Sequence, residues 1–68
     1  MLTEDELEML ASATGFEWVT VRDSSDNRHR AWLSNMFTIV HPFPAGIGKT
    51  RHEAMNNYWE EYVRYNSN

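Results

Sequence analysis

The sequence of 68 residues has no cysteine, few prolines and glycines, and no long apolar run. Without cysteine the chain cannot form disulfides or thiolate metal sites, which fits a reducing compartment. A membrane-spanning helix needs about 20 consecutive apolar residues, and a secretory leader places basic residues before an apolar stretch. This chain instead begins with an acidic amphipathic segment. We therefore expect a soluble, cytoplasmic protein that does not contact a membrane.

Residues that could carry out catalysis or bind a metal are sparse. The chain has three histidines, His29, His41 and His52. They are too widely spaced to form a typical metal site, and the serines have no neighbouring base. Residues 48–50 end like a phosphate-binding loop, but Phe43 stands where that motif needs its first glycine. We expect no metal, no cofactor and no enzymatic activity; a small hydrolase using His52 and Glu53 is the catalytic alternative.

The length and the aromatic content indicate one small domain over residues 1–68. A chain of this size lies near the lower limit for a fold held by a hydrophobic core alone. It contains three residues each of Trp, Tyr and Phe, so a few large rings should supply most of the buried area. The net charge of −4 disfavours binding to nucleic acid, which is itself negatively charged.

The N-terminal segment predicts a helix. Thr3 is a suitable N-cap, Glu6 can complete a capping box with it, and Gly15 can end the helix in the left-handed conformation. The residues expected on its buried face are Leu7, Leu10 and Ala11.

The central part of the chain predicts three strands. Residues 16–22 alternate, with Phe16, Trp18 and Thr20 on one face, and residues 28–33 follow a turn at 23–27. Residues 36–41 are the expected third strand, and 42–46 the bend that follows it.

The C-terminal segment predicts the helix around which the domain is organised. Thr50 is a plausible N-cap with Glu53 as its capping-box partner, preceded by a glycine-rich loop at 46–48. The expected apolar stripe contains Ala54, Met55, Tyr58, Trp59, Tyr62, Val63 and Tyr65. The fold class is therefore α+β: an αβββα domain in which two helices cover one face of a three-stranded antiparallel meander.

This element order is similar to that of the double-stranded RNA-binding domain. Residues 46–54, GIGKTRHEA, resemble the glycine-rich approach to the second helix of that family. The resemblance implies that Lys49, Arg51 and His52 occupy the phosphate-contacting end of the helix.

Residues 48–57, GKTRHEAMNN, also resemble the helix start of HicB-like domains. That resemblance implies a non-catalytic protein-binding module encoded by a phage or prophage.

Two hypotheses for the function follow. The first is a protein-binding module that inhibits or regulates a host nucleic-acid-handling factor, or associates with itself as a homodimer. Its candidate residues are Glu4, Asp5, Glu8, Trp18 and Trp32, because acidic side chains and exposed rings often form interfaces.

The alternative is RNA or DNA binding. Its candidate residues are Arg28, Arg30, Lys49, Arg51 and His52, because cations near a helix N-terminus can bind phosphates.

Overall fold

The computed structural model describes residues 1–34 and 45–66, which form a helix, three strands and a second helix. The elements are α1 (Glu4–Thr14), β1 (Glu17–Asp23), β2 (Arg28–Ser34), β3 (Gly46–Gly48) and α2 (Arg51–Asn66). The strands form one antiparallel sheet in the order β1-β2-β3. The predicted αβββα arrangement is confirmed.

Both ends of α1 are fixed by the residues that the sequence indicated. The Thr3 hydroxyl accepts a hydrogen bond from the Glu6 amide at 3.1 Å, and the Glu6 carboxylate accepts one from the Thr3 amide at 2.9 Å. Gly15 ends the helix with φ of 82°. This conformation is costly for most L-residues and easy for glycine, so the helix stops there.

A hairpin joins β1 to β2, and Trp18 and Thr20 share one face of β1 as the alternation predicted. Trp18 lies opposite Leu33, and Thr20 opposite Ala31, so these four side chains share the face that the helices cover. The turn is held by the Asp23 carboxylate, which accepts hydrogen bonds from the amide and hydroxyl of Ser25.

The third strand of the sheet is the glycine-rich segment Gly46–Gly48. Its prediction as a loop was wrong, because Gly46 pairs with Ala31 and Gly48 with His29. A Cβ atom at Gly48 would lie 2.7 Å from the Ala54 backbone nitrogen, and one at Gly46 would overlap the Ala54 carbonyl oxygen. The glycines therefore let α2 lie directly on β3. The strand predicted at 36–41 and most of the bend at 42–46 fall outside the described residues.

The core lies between the sheet and the two helices. Its buried apolar side chains are Leu7, Ala11, Ala31, Leu33, Ala54, Met55 and Tyr58. They come from α1, β2 and α2, so both helices cover the same face of the sheet. The opposite face carries Val21, Arg30 and Ile47, which lie side by side across the three strands.

The N-terminal half of α2 packs most tightly. The Thr50 hydroxyl accepts a hydrogen bond from the Glu53 amide at 3.1 Å, which confirms the predicted N-cap. The apolar stripe is buried through Tyr58 and becomes exposed by Val63 and Tyr65. Neither helix of the described ranges has the length and apolar character needed to cross a bilayer.

Candidate protein-binding surface

The helix α1 has a second apolar stripe on the side opposite its buried residues. Met9 is 72% exposed, Ala13 is exposed and Leu10 is half-buried. Together with Leu2 and Glu6 they line a shallow depression of about 400 Å³. We call these five residues the α1 outer surface.

The charged side chains at this surface are acidic. Asp5 lies one turn before Met9, and Glu6 lies within the surface itself. The hydrogen bond from the Thr3 amide lowers the pKa of Glu6, so its carboxylate is ionised at neutral pH. The helix has no basic residue that would offset these charges. The α1 outer surface is therefore apolar with an acidic rim.

Arg51 joins the two helices on the other side of α1. Its Nη1 lies 3.1 Å from the Glu4 carboxylate, and its Nη2 lies 3.4 Å from that of Glu8. Its Nε donates to the Thr20 hydroxyl at 3.3 Å. Two predicted protein-binding carboxylates and one predicted nucleic-acid-binding cation thus bind one another.

Arg30 is paired in a similar way. Its guanidinium contacts the carboxylates of Asp23 at 2.8 Å and Asp26 at 2.9 Å. The hydrogen bond to Asp26 raises the pKa of Arg30, while hydrogen bonds from Ser25 and the nearby Arg30 lower the pKa of Asp23. The charge of this cation is offset by two carboxylates, which reduces its attraction for a phosphate.

His52 and Asn56 hold the first residues of the chain against α2. The His52 Nε2 donates to the Leu2 carbonyl, and the Asn56 amide binds both backbone groups of Leu2. His52, predicted as a nucleic-acid ligand, therefore has a structural contact.

Arg28 and Lys49 are the two remaining candidate cations. They line one cavity of about 230 Å³ beside the first turn of α2, and Glu53 lines it with them. Within residues 1–34 and 45–66 neither side chain forms an ion pair. The structure thus brings two of the five predicted cations together at one end of the sheet.

The two candidate tryptophans have different environments. The Trp18 indole donates to the Leu7 carbonyl at 2.9 Å and meets Tyr58 edge-on, with ring centroids 5.7 Å apart. Trp18 therefore belongs to the core, and its prediction as an interface anchor has no support from its position. Trp32 is half-buried and lies opposite Val19, on the sheet face away from the helices.

A second groove, of about 420 Å³, lies between α1 and β1 and contains the paired charges of Glu8 and Arg51. Across the described ranges, no three residues of the types that bind metals lie together.

The sequence interpretation missed Met9 and placed Leu10 on the buried face. A signal was present, because Met9 and Ala13 lie on the side of a helical wheel opposite Leu7 and Ala11, and Leu10 lies between the two faces. Only Leu7 and Ala11 of α1 are fully buried against the rest of the domain, and Met9 remains exposed.

No protein-family model, curated protein or solved structure matches the chain. The resemblances to double-stranded RNA-binding and HicB-like domains remain predictions.

Proposed function

We propose that the protein is a non-catalytic protein-binding module and that the α1 outer surface is its docking site. The observation that carries this proposal is the exposure of Met9 within an apolar depression that has an acidic rim. Clustered apolar exposure of this kind is typical of interaction sites. Methionine suits such a site because its flexible side chain adapts to different partners.

The acidic rim favours a partner with a basic surface, such as a nucleic-acid-handling protein. Complementary charge accelerates encounter and excludes like-charged competitors. Asp5 is exposed on this rim, whereas Glu4 and Glu8 bind Arg51. Of the predicted acidic residues, Asp5 is therefore the one that fits this role.

Capture from cell lysate tests the proposal. Tagged wild-type protein and the Met9→Gln variant are compared by quantitative mass spectrometry, with Val63→Gln as the matched control. Val63 is 46% exposed on α2 and lies outside the α1 outer surface. We expect partners that are retained by the control and lost with Met9→Gln; capture that does not depend on Met9 would contradict the docking site.

The nucleic-acid alternative rests on Arg28 and Lys49 beside the start of α2. It predicts that the protein retards duplex RNA or DNA in a gel-shift assay at low salt. The Lys49→Glu variant should lose this retardation. The internal contacts of Arg30, Arg51 and His52 weigh against it.

A further inference from the structure

We infer that the occupant of the α1 outer surface is a basic amphipathic helix of another protein. This inference rests on the proposed function and specifies the chemistry of the partner. It follows from the shape of the surface, from its charge, and from the fact that α1 offers side chains rather than backbone groups for contact.

The shape of the surface favours a helix over an extended strand. A strand binds chiefly through backbone hydrogen bonds to a sheet edge, and the backbone groups inside a helix such as α1 are already paired. The available contacts are side chains, spread from Leu2 to Ala13. Within α1 this row runs from Glu6 to Ala13, roughly 10 Å at 1.5 Å per residue, which matches about two turns of a partner helix.

The spacing along the row sets the pattern of the partner. The lining residues within α1 lie three or four positions apart, and Leu2 precedes the N-cap; the residues within the helix are Glu6, Met9, Leu10 and Ala13. A helix that packs along such a row presents apolar side chains at positions i, i+3 or i+4, and i+7. The partner segment is therefore amphipathic.

The charge of the rim favours cations on the partner. Asp5 and Glu6 lie in the first turn of α1, which has no basic side chain; the positive charge that acts on them from within the chain is the N-terminal ammonium, which adds to the hydrogen bonds with Thr3 in lowering the pKa of Glu6. A partner helix with lysine or arginine next to its apolar stripe would place opposite charge against this turn.

A second copy of this chain lacks that complementarity. Two α1 helices packed in parallel would bring their acidic first turns together. Packed antiparallel, each acidic turn would meet the last turn of the other α1, which contains no basic residue. The charge pattern thus favours a different protein.

Three synthetic helical peptides of about four turns test the inference. The first carries leucine on one face and lysine elsewhere; the second has glutamate in place of lysine; the third scrambles the leucine and lysine order. Fluorescence anisotropy with the full chain should give a dissociation constant on the order of 10 μM for the first peptide, since the contact area is small. We expect binding at least about tenfold weaker for the scrambled peptide and none for the glutamate peptide.

Variants of the protein localise the contact. We expect Met9→Gln to weaken binding of the first peptide about five- to tenfold and Asp5→Asn about two- to threefold, with Val63→Gln unchanged. Circular dichroism should show the same helix content in all variants, because all three side chains are exposed.

Three outcomes would overturn the inference. They are equal binding of the scrambled peptide, binding unaffected by Met9→Gln, or a dimer in sedimentation equilibrium that Met9→Gln dissociates. If lysate capture depends on Met9 but the leucine–lysine peptide does not bind, the proposed function stands and this inference fails. If capture is independent of Met9, the proposed docking site fails first.

Discussion

The side-chain amide of Asn56 pairs with both backbone groups of Leu2. The Leu2 N–H donates to Asn56 Oδ1 at 3.1 Å, and Asn56 Nδ2 donates to the Leu2 carbonyl at 3.0 Å. Nδ2 also donates to the His52 carbonyl at 3.2 Å, and the residue is 3% exposed. One side chain of α2 thus holds the segment that leads into α1, much as a neighbouring strand would.

Replacing Asn56 with alanine should destabilise the fold by about 2 kcal/mol, because it removes the acceptor of the Leu2 N–H in a partly buried site and one of the donors to the Leu2 carbonyl, which His52 still contacts. Chemical denaturation measures the change in the free energy of unfolding. The control is Asn57→Ala, which removes an exposed hydrogen bond to the Ile47 carbonyl and should cost less than about 1 kcal/mol. If both variants lost the same free energy of unfolding, the Leu2 contact would stabilise the fold no more than an exposed hydrogen bond.

Gly48 and Gly15 should respond differently to the same substitutions. Gly48→Ala places a Cβ 2.7 Å from the Ala54 nitrogen, which should cost about 1–3 kcal/mol. Gly15→Ala meets no atom within 4 Å but is strained at φ of 82°, at about 1–2 kcal/mol.

Asparagine separates these two causes. It tolerates the left-handed conformation, so Gly15→Asn should be more stable than Gly15→Ala, whereas Gly48→Asn should be at least as unstable as Gly48→Ala. Thermal unfolding of the four variants measures this. A stable Gly48→Asn would contradict the close approach of α2 to β3.

The contacts of Arg51 with Glu4 and Glu8 should contribute modestly to stability. Arg51 is 39% exposed, so we expect Arg51→Met to cost about 0.5–1 kcal/mol, with less effect at high salt. A double-mutant cycle with Glu8→Gln measures the coupling between the two side chains.

The surface pair of Arg64 and Glu61 is the reference for this cycle. Arg64 is 71% exposed, so coupling within that pair should be smaller than within Arg51 and Glu8. A larger coupling at the reference pair would rule out a special role for Arg51.

Tyr58 should make the fold sensitive to alkaline pH. Burial raises the pKa of Tyr58 to about 12 from 10.0. The folded state favours the neutral phenol. Its contribution to the free energy of unfolding is therefore complete below pH 10, the pKa of the unfolded chain, and is lost as pH rises from 10 to about 12. Ultraviolet absorbance of tyrosinate, followed beside circular dichroism, should show one phenol that ionises late or together with unfolding.

Tyr58→Phe is the control for that titration, since it removes the late phenol and should flatten the decline in stability between pH 10 and 12. An unchanged decline in this variant would assign the alkaline sensitivity to another group.

The sequence could predict the features that depend on near neighbours. Thr3, Glu6 and Gly15 act within one or two turns of α1, and the strands of the hairpin follow from alternation. The role of Gly46 and Gly48 could not be predicted, because glycine serves a loop or a close contact equally well until the position of α2 is known.

The candidate site was only partly predictable for the same reason. The acidic character of α1 is visible in the sequence, and Asp5 is exposed as its position indicates. The pairing of Glu4 and Glu8 with Arg51 joins residues more than 40 positions apart. Local sequence patterns therefore cannot predict it. The packing of the half-buried Trp18 against the core likewise depends on its indole reaching the Leu7 carbonyl of a different element.

The contacts between α2 and the start of the chain have a consequence for folding kinetics. They join residues separated by 43 to 54 positions. Closing so long a loop is entropically unfavourable until the intervening hairpin has formed. The first helix should therefore dock late and detach early, and its amides should exchange with solvent deuterium ahead of those in the hairpin.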